Sequence, residues 1–275
     1  MTTEQTWLIT GASGGLGLAL VQRALAEGHR VVATTRGSAL PVSHPRLTVF
    51  PLDLTDRAAC HQAVDDAVRA TGRLDALVNN AGYGLVGAVE EVTEDEARAI
   101  LEVDLLGPLW LSQAALPRMR AGGGDIVQIS SVGAVGSMPF FGLYNAAKWG
   151  LEGFSEALAA EAAPMGVRVT IAEIGAMDTQ WATAGMQFSS PLDAYDTLRE
   201  GVLGTAEVPW DSEPGATGGG TPPDAVAAQL LAHVARRSGS PLRLVLGEDA
   251  ADQISSVLDL RQQDYAGQLP PSTRE

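Results

Sequence analysis

The sequence predicts a single doubly wound α/β domain with a lid set into it, and three observations carry that prediction. Short apolar runs recur at residues 7–10, 30–35, 47–51, 76–79, 126–130, 168–173 and 242–246. Each run is continuous rather than alternating, the pattern of strands covered on both faces of a parallel sheet. Helical periodicities fill the intervals, so strand and helix alternate from residue 7 to about 246. The first run also leads directly into a glycine-rich turn, Thr10-Gly11-Ala12-Ser13-Gly14-Gly15-Leu16-Gly17, and then a helix, as in a phosphate-binding βαβ unit.

Taken in order, residues 15–26 place Leu16, Leu20 and Ala24 four apart on one helix face. Residues 56–71 read as a helix with Thr55 as its N-cap. Residues 93–119 read as a long helix opened by the capping-box run Thr93-Glu94-Asp95-Glu96. Pro108 within it is expected to kink or split it. Residues 143–163 are apolar on most sides, which predicts packing against a surface besides the chain's own sheet. The whole reads as one Rossmann-type domain over residues 1–275. It is interrupted at residues 176–223, where no strand is expected and residues 213–223 are rich in Gly, Pro and Thr. A long insertion after a strand end is where a substrate lid sits. Trp181, Phe188, Tyr195 and Trp210 argue against its alternative, a solvated surface loop. Residues 266–275 read as a frayed tail.

Composition removes several classes. A hydrophobic fraction of 45% over 275 residues excludes general disorder and suffices for a full core. Cys60 is the single cysteine, so no intrachain disulfide can form. Eighteen Lys and Arg against 33 Asp and Glu give a formal net charge of −15, which repels phosphate backbones and anionic membranes at long range. No nucleic-acid or membrane partner is expected, although one local phosphate site is allowed. No uninterrupted apolar run has membrane-spanning length, and residues 1–6 lack a signal-peptide pattern, so a cytoplasmic location is expected. His29, His44, His61 and His233 are scattered without ligand spacing, so no metal is expected. No GxSxG elbow provides a hydrolase nucleophile. Glu90-Glu91 and Glu94-Asp95-Glu96 read as a solvated helix start.

Gly11 permits the tight turn, and Gly15 and Gly17 let backbone or ligand approach closely. The helix beyond presents free N–H groups to a pyrophosphate. The second strand ends Val31-Val32-Ala33-Thr34-Thr35-Arg36, without the acid that would bind a ribose 2′-hydroxyl. Arg36 is placed to clamp a 2′-phosphate, which favours NADP(H) over NAD(H). Its alternative is an ordinary surface arginine. Tyr144 and Lys148 lie four apart on one helix face. The ammonium is expected to favour the phenolate and ease proton transfer. A ketone receiving hydride needs such a proton. The alternative is a buried Tyr beside a snorkelling Lys.

The spacing TGxxxGxG, Asp53-Leu54-Thr55 after the third strand, Asn79-Asn80-Ala81-Gly82 after the fourth, Ser131 thirteen residues before Tyr144, and Tyr144-Asn145-Ala146-Ala147-Lys148 follow one another in the chain. In these motifs, over roughly residues 6–180, the sequence resembles the classical short-chain dehydrogenase/reductase family. The resemblance implies cofactor contacts from Gly11, Ser13, Gly15, Leu16, Arg36, Asp53, Leu54, Asn80, Ala81, Gly82, Tyr144, Lys148 and Thr179. It implies a catalytic group of Ser131, Tyr144 and Lys148, with Asp104 at the relay position that in the family is usually Asn. It also implies a homodimer or homotetramer. Other departures are Gly14 where many NADP-using relatives carry a second basic residue, Ile174 for the usual Pro before Gly175, Ala147 for a common Ser, and Asp178 where close relatives often carry Arg. Asp104 is expected either to anchor the Lys148 ammonium or to dull its effect on Tyr144.

The expected activity is therefore NADP-dependent hydride transfer between nicotinamide and a carbonyl or secondary alcohol of an apolar small molecule. Two alternatives stand beside it. One is a non-redox enzyme on this scaffold, an epimerase, dehydratase or cyclase, using bound NADP(H) without net turnover. The other is an NADP(H)-sensing binding protein.

Overall fold

The computed structural model describes residues 4–37, 39–210, 213, 215–236 and 240–268. Seven strands form one parallel sheet: β1 (Thr6–Ile9), β2 (Arg30–Thr35), β3 (Leu47–Pro51), β4 (Ala76–Asn79), β6 (Gly124–Ile129), β7 (Val167–Ile174) and β9 (Arg243–Leu246). Their order is β3-β2-β1-β4-β6-β7-β9, with Trp7 opposite Val31 on one side of β1 and opposite Ala76 on the other. The order runs outward from β1 in both directions. A crevice therefore opens beyond the carboxyl ends of β1 and β4, the place where open α/β sheets bind ligands.

Successive strand residues face opposite sides, so Trp7 and Ile9 enter one core and Leu8 the other. On the first side they meet Leu20 of α1 (Gly15–Ala26) and Leu230 of α7 (Pro223–Ala235). On the second, Leu8 joins Val64 of α2 (Arg57–Thr71) and Leu111 of α4 (Gly107–Met119). All of these side chains are at most 1% exposed, each contributing roughly 1.5–3 kcal/mol by burial. Coverage of both faces is why the strands read as unbroken apolar runs.

Three local readings change. Thr55 does not cap α2, because its N–H and hydroxyl are both donated to Asp53 Oδ1, at 3.0 and 2.8 Å. Asp56 caps instead, accepting from the Ala59 N–H at 3.0 Å. The stretch 93–119 begins with the expected capping box, Thr93 with Glu96, at α3 (Glu94–Leu101). It then passes through a wide π-turn at Glu102–Leu106 before α4, with the Gly107 N–H donating five residues back to Glu102. Pro108 explains the turn: it offers no N–H to the Asp104 carbonyl and its ring would clash there. As a whole, Glu94–Met119 has the length and composition to cross a membrane. In the fold Ile100, Leu111, Ala115 and Met119 are buried against neighbouring elements.

The third change concerns residues 176–223. A strand is present there, β8 (Met186–Phe188), paired in parallel with β5 (Gly84–Val86). It is followed by α6 (Asp196–Leu203). The remaining helices are α5 (Gly142–Ala162) and α8 (Ala250–Tyr265). Residues 266–268 form a turn closing α8, and the rest of the expected tail lies outside the described residues.

Candidate active site

The phosphate-binding turn is held by the loop after β4. Gly11 has φ +65, and a Cβ there would lie 2.7 Å from Ala81 Cα, so only glycine allows this approach. The N–H groups of Asn80 and Ala81 both donate to Thr10 Oγ1 at 3.0 Å. Asn80 Nδ2 donates to the Thr10 carbonyl at 2.8 Å. Thr10, absent from the expected site, is thus a bracket between the two loops; its signal was the Thr that opens TGxxxGxG. Asn79 braces the next layer, with Nδ2 2.9 Å from Gln128 Oε1 and 3.2 Å from Ser112 Oγ.

The amino end of α1 has no side-chain cap and no acid in its first turn. Its N–H groups remain open to an anion. Ser13 and Gly15 are exposed at this mouth, while Leu16 is buried beneath it. Thr179 stands over it, its Cβ 3.5 Å from where a Gly15 Cβ would be. Further along the sheet edge, Arg36, Pro51, Leu52, Asp53 and Ala59 line a cavity of about 330 Å³. Among the described residues Arg36 forms no hydrogen bond or ion pair. The Thr55 N–H and hydroxyl hold the Asp53 carboxyl below its ordinary range, against a small opposing effect of burial. Leu54 is buried and packs close under Gly107. The uncapped helix end, the bare glycine turn and this cavity together fit a dinucleotide.

At the other end of the crevice, β6 delivers Ser131 and α5 delivers Tyr144 and Lys148. Ser131 Oγ accepts from the Gly133 N–H at 3.1 Å and faces the Tyr144 phenol closely enough to lower its proton affinity. Lys148 Nζ lies 3.2 Å from Asp104 Oδ2 and donates to the Ile129 carbonyl at 3.2 Å. It also stands 5.7 Å from the Tyr144 ring centre. The π-turn carries Asp104 inward to 1% exposure, where its other oxygen accepts from the Tyr83 N–H at 3.1 Å. Gly82 leaves it room, since a Cβ there would sit 2.7 Å from Asp104 Oδ2.

The electrostatics differ from the simple expectation. Burial pushes the Tyr144 phenol above its ordinary value; Lys148 and Ser131 pull it down, and Asp104 pushes it up again. The net direction is upward, so Tyr144 holds its proton, and the expected easing of the phenolate does not prevail. Burial opposes charge on Lys148, but Asp104 and the Tyr144 oxygen together offset it and keep the ammonium protonated, while burial pushes the Asp104 carboxyl itself above its ordinary value. Asp104 therefore both anchors the ammonium and dulls its effect on Tyr144.

The surroundings of Tyr144 toward the insertion are aromatic. Trp181 lies 5.3 Å and Phe141 6.4 Å from the Tyr144 ring, and Phe188 meets Trp210 edge-on at 4.7 Å. Asp178 is engaged by the Thr217 hydroxyl. Asp249, missed in the sequence, accepts from the Ala176 N–H at 3.1 Å. A Cβ on Gly175 would lie 2.2 Å from Asp249 Oδ1, so any larger residue there would displace this carboxylate. Ile174 simply enters the core. Glu91, expected on a solvated face, is instead buried against Arg199 of α6. Burial pushes the Cys60 thiol up to about 12, so it is no nucleophile.

A doubly wound sheet with a glycine turn at its switch point and a Tyr–Lys pair one strand away defines a nicotinamide-dependent oxidoreductase scaffold. Comparison with known proteins agrees. A family profile described as short chain dehydrogenase matches residues 5–187. An uncharacterized oxidoreductase of Schizosaccharomyces pombe is 37% identical over 257 residues, covering 92% of this chain and 85% of that protein. A short-chain dehydrogenase from Streptomyces avermitilis superimposes with a TM-score of 0.82 at 35% identity, over 95% of this chain and 96% of that one. A short-chain dehydrogenase from Burkholderia cenocepacia, solved with NADP, gives 0.75 at 25% identity, over 98% and 100%. The chain belongs to the short-chain dehydrogenase/reductase family and is an NAD(P)-dependent oxidoreductase.

Proposed function

We propose that the enzyme uses NADP(H) to interconvert a carbonyl and a secondary alcohol on an apolar small molecule. The observation that carries this is the linked group Ser131–Tyr144–Lys148, opening onto an aromatic wall at the crevice end opposite Arg36. The bound nucleotide would supply or accept the hydride at nicotinamide C4. Gly11, Ser13, Gly15, Leu16, Asn80, Ala81, Gly82 and Thr179 would hold its pyrophosphate and nicotinamide half. Arg36, Asp53 and Leu54 would hold the adenosine half. Ser131 orients the substrate oxygen by hydrogen bonding. Tyr144 donates its proton to that oxygen in reduction and takes it back in oxidation. Lys148 steadies the phenolate that forms and would hold the nicotinamide ribose, and Asp104 keeps Lys148 charged and in place.

The preference for NADP(H) rests on the Arg36 guanidinium just past the end of β2, lining the cavity with Asp53, and on the lack of an acid closing that strand. A charge-assisted hydrogen bond contributes about 1.5–3 kcal/mol. Arg36→Ala is therefore expected to weaken NADPH binding roughly 10- to 100-fold while changing NADH binding little, measured by nicotinamide fluorescence titration. Tighter NADH binding by the unaltered enzyme would reverse the cofactor assignment and leave the chemistry in place. Absorbance at 340 nm with a panel of carbonyl compounds then separates net redox from the non-redox alternative, which the acid at Asp104 keeps in view. We further propose a cytoplasmic enzyme that acts as a homodimer or homotetramer, without nucleic-acid or membrane partners.

A further inference from the structure

We propose that the buried Glu91–Arg199 pair is a positioning device for Tyr144, acting through the strained backbone of Phe140. The inference rests on the reading of Tyr144 as the proton donor. Both side chains are 1% exposed, and among the described residues their hydrogen bonds go to Ala88, Leu192, Asp196, Ala206 and each other, not to the nucleotide crevice. Glu91 Oε1 accepts from Arg199 and from the Leu192 N–H at 2.8 Å, and Oε2 accepts from the Ala88 N–H at 2.7 Å. Arg199 also reaches Asp196 Oδ1 at 2.8 Å and the Ala206 carbonyl at 3.3 Å. A buried pair of this kind adds little net stability over an apolar replacement, so its value is better sought in the geometry it fixes.

That geometry converges on Phe140. With φ +70, Phe140 is the non-glycine residue in the left-handed region among the described residues. Such a conformation persists only where the surroundings over-determine it. The Arg199 guanidinium covers the Phe140 ring at 5.5 Å, and Tyr195 meets the ring edge-on. Glu91 holds Ala88, and the adjoining Gly87 N–H donates to the Phe140 carbonyl at 2.9 Å. One partner of the pair thus fixes the ring and the other fixes the peptide. Phe140 leads directly into Phe141, whose carbonyl takes the Asn145 N–H at 2.8 Å in the opening turn of α5, and whose ring abuts Tyr144. Loosening the pair therefore shifts the turn that carries Tyr144, while the phosphate-binding end is untouched.

The test uses Glu91→Met/Arg199→Met together, which leaves no orphan charge, and Phe140→Gly, which adopts this φ without strain. Turnover is followed at 340 nm with NADPH and phenanthrenequinone as a probe carbonyl. The double variant is expected to lower kcat roughly 10- to 100-fold with nucleotide affinity unchanged. Phe140→Gly is expected to do the same, and the triple variant no worse, because one path is being cut twice. Arg199→Lys should recover part of the loss. A second reading needs no substrate: phenolate absorbance at 295 nm, with Tyr144 isolated by difference against Tyr144→Phe. Its titration is expected to move down toward the ordinary phenol value in the double variant, because a loosened turn admits water. Unchanged kcat and titration, a loss confined to KM, or additive losses in the triple variant would each overturn the positioning role. If instead Tyr144→Phe itself stays active, the parent reading fails, and this outcome is distinct from the others.

Discussion

A carboxylate 3.2 Å from the Lys148 ammonium changes what that ammonium does for Tyr144. An amide at position 104 would leave Lys148 as the single charge facing the phenol; Asp104 adds a charge of opposite sign. It raises the proton affinity of Lys148 and of Tyr144 alike. In Asp104→Asn the upward push on the phenol is removed, so Tyr144 ionises at lower pH than in the natural enzyme. Alcohol oxidation requires the phenolate, and its rate rises as pH climbs through the Tyr144 titration. The acid limb of kcat against pH for oxidation is therefore expected to move to lower pH in Asp104→Asn, measured from initial rates with NADP⁺ and a secondary alcohol. A limb that stays in place would mean that Tyr144 does not feel Asp104. Tyr144→Phe, by contrast, is expected to lower kcat by roughly 10²–10⁴ in both directions across the whole pH range. The sequence made Ser131, Tyr144 and Lys148 legible because their spacing is fixed by one strand end and one helix turn. It could not give the sign of the Tyr144 shift, because that comes from burial, to which Trp181, far along the chain, contributes by packing on the ring. The burial of Glu91 is hidden for the same reason: its partner Arg199 is 108 residues away, and beside Glu90 and the capping box it resembles any solvated acid.

Elements that bury both faces were legible to within a residue or two, since a short, continuous apolar run between turn residues suits a strand covered on both sides and little else. The strand β8 was not. Three residues, Met186-Gln187-Phe188, make no pattern, and they are ordered by pairing with the equally short β5. That pairing divides the insertion. Its middle is tied to the body by the Ser189 N–H to the Val86 carbonyl at 2.9 Å, Tyr195 to Glu90 at 2.7 Å, Ser189 Oγ to Glu96 at 3.1 Å, and the Glu91–Arg199 pair. We propose that a segment tied in this way serves as a fixed wall of the site rather than as a moving lid. Amide exchange follows local opening, which requires these bonds to break together. The amides of β8 and α6 are accordingly expected to exchange as slowly as those of the outer strands β3 and β9, and residues 204–209 faster. Exchange mass spectrometry without nucleotide measures this. Equally fast exchange across 186–209 would restore a lid that moves as one piece.

At the scale of the whole molecule the charge of −15 acts against self-association, so any interface must lie where acids are sparse and contact is close. Helix α5 has such a face. Tyr144, Lys148, Leu151 and Ser155 point inward and are buried. On the other side Ala146, Gly150, Gly153, Ala157 and Ala160 follow at spacings of four and three, and all but Gly150 are exposed. This is a straight seam of small, uncharged side chains, on which a second helix can settle at about 8 Å between axes. The sequence reading of apolar character on most sides of this helix corresponds to this division: one side serves the sheet and the site, while on the other Gly150 abuts Leu105 and Ala146, Gly153, Ala157 and Ala160 are exposed among the described residues. Light scattering is expected to give two or four times the 28.6 kDa chain mass. Because like-charged copies repel through solvent, added salt is expected to tighten the assembly, as screening shortens that repulsion to about 10 Å at 0.1 M and less above it. Ala157→Arg places a long charged side chain in the middle of the seam without touching Tyr144 or the nucleotide crevice, so it is expected to yield a 28.6 kDa species that still binds NADPH. A natural chain that scatters as a monomer at every salt concentration, or an Ala157→Arg variant that stays assembled, would place the uncovered face of α5 outside any interface.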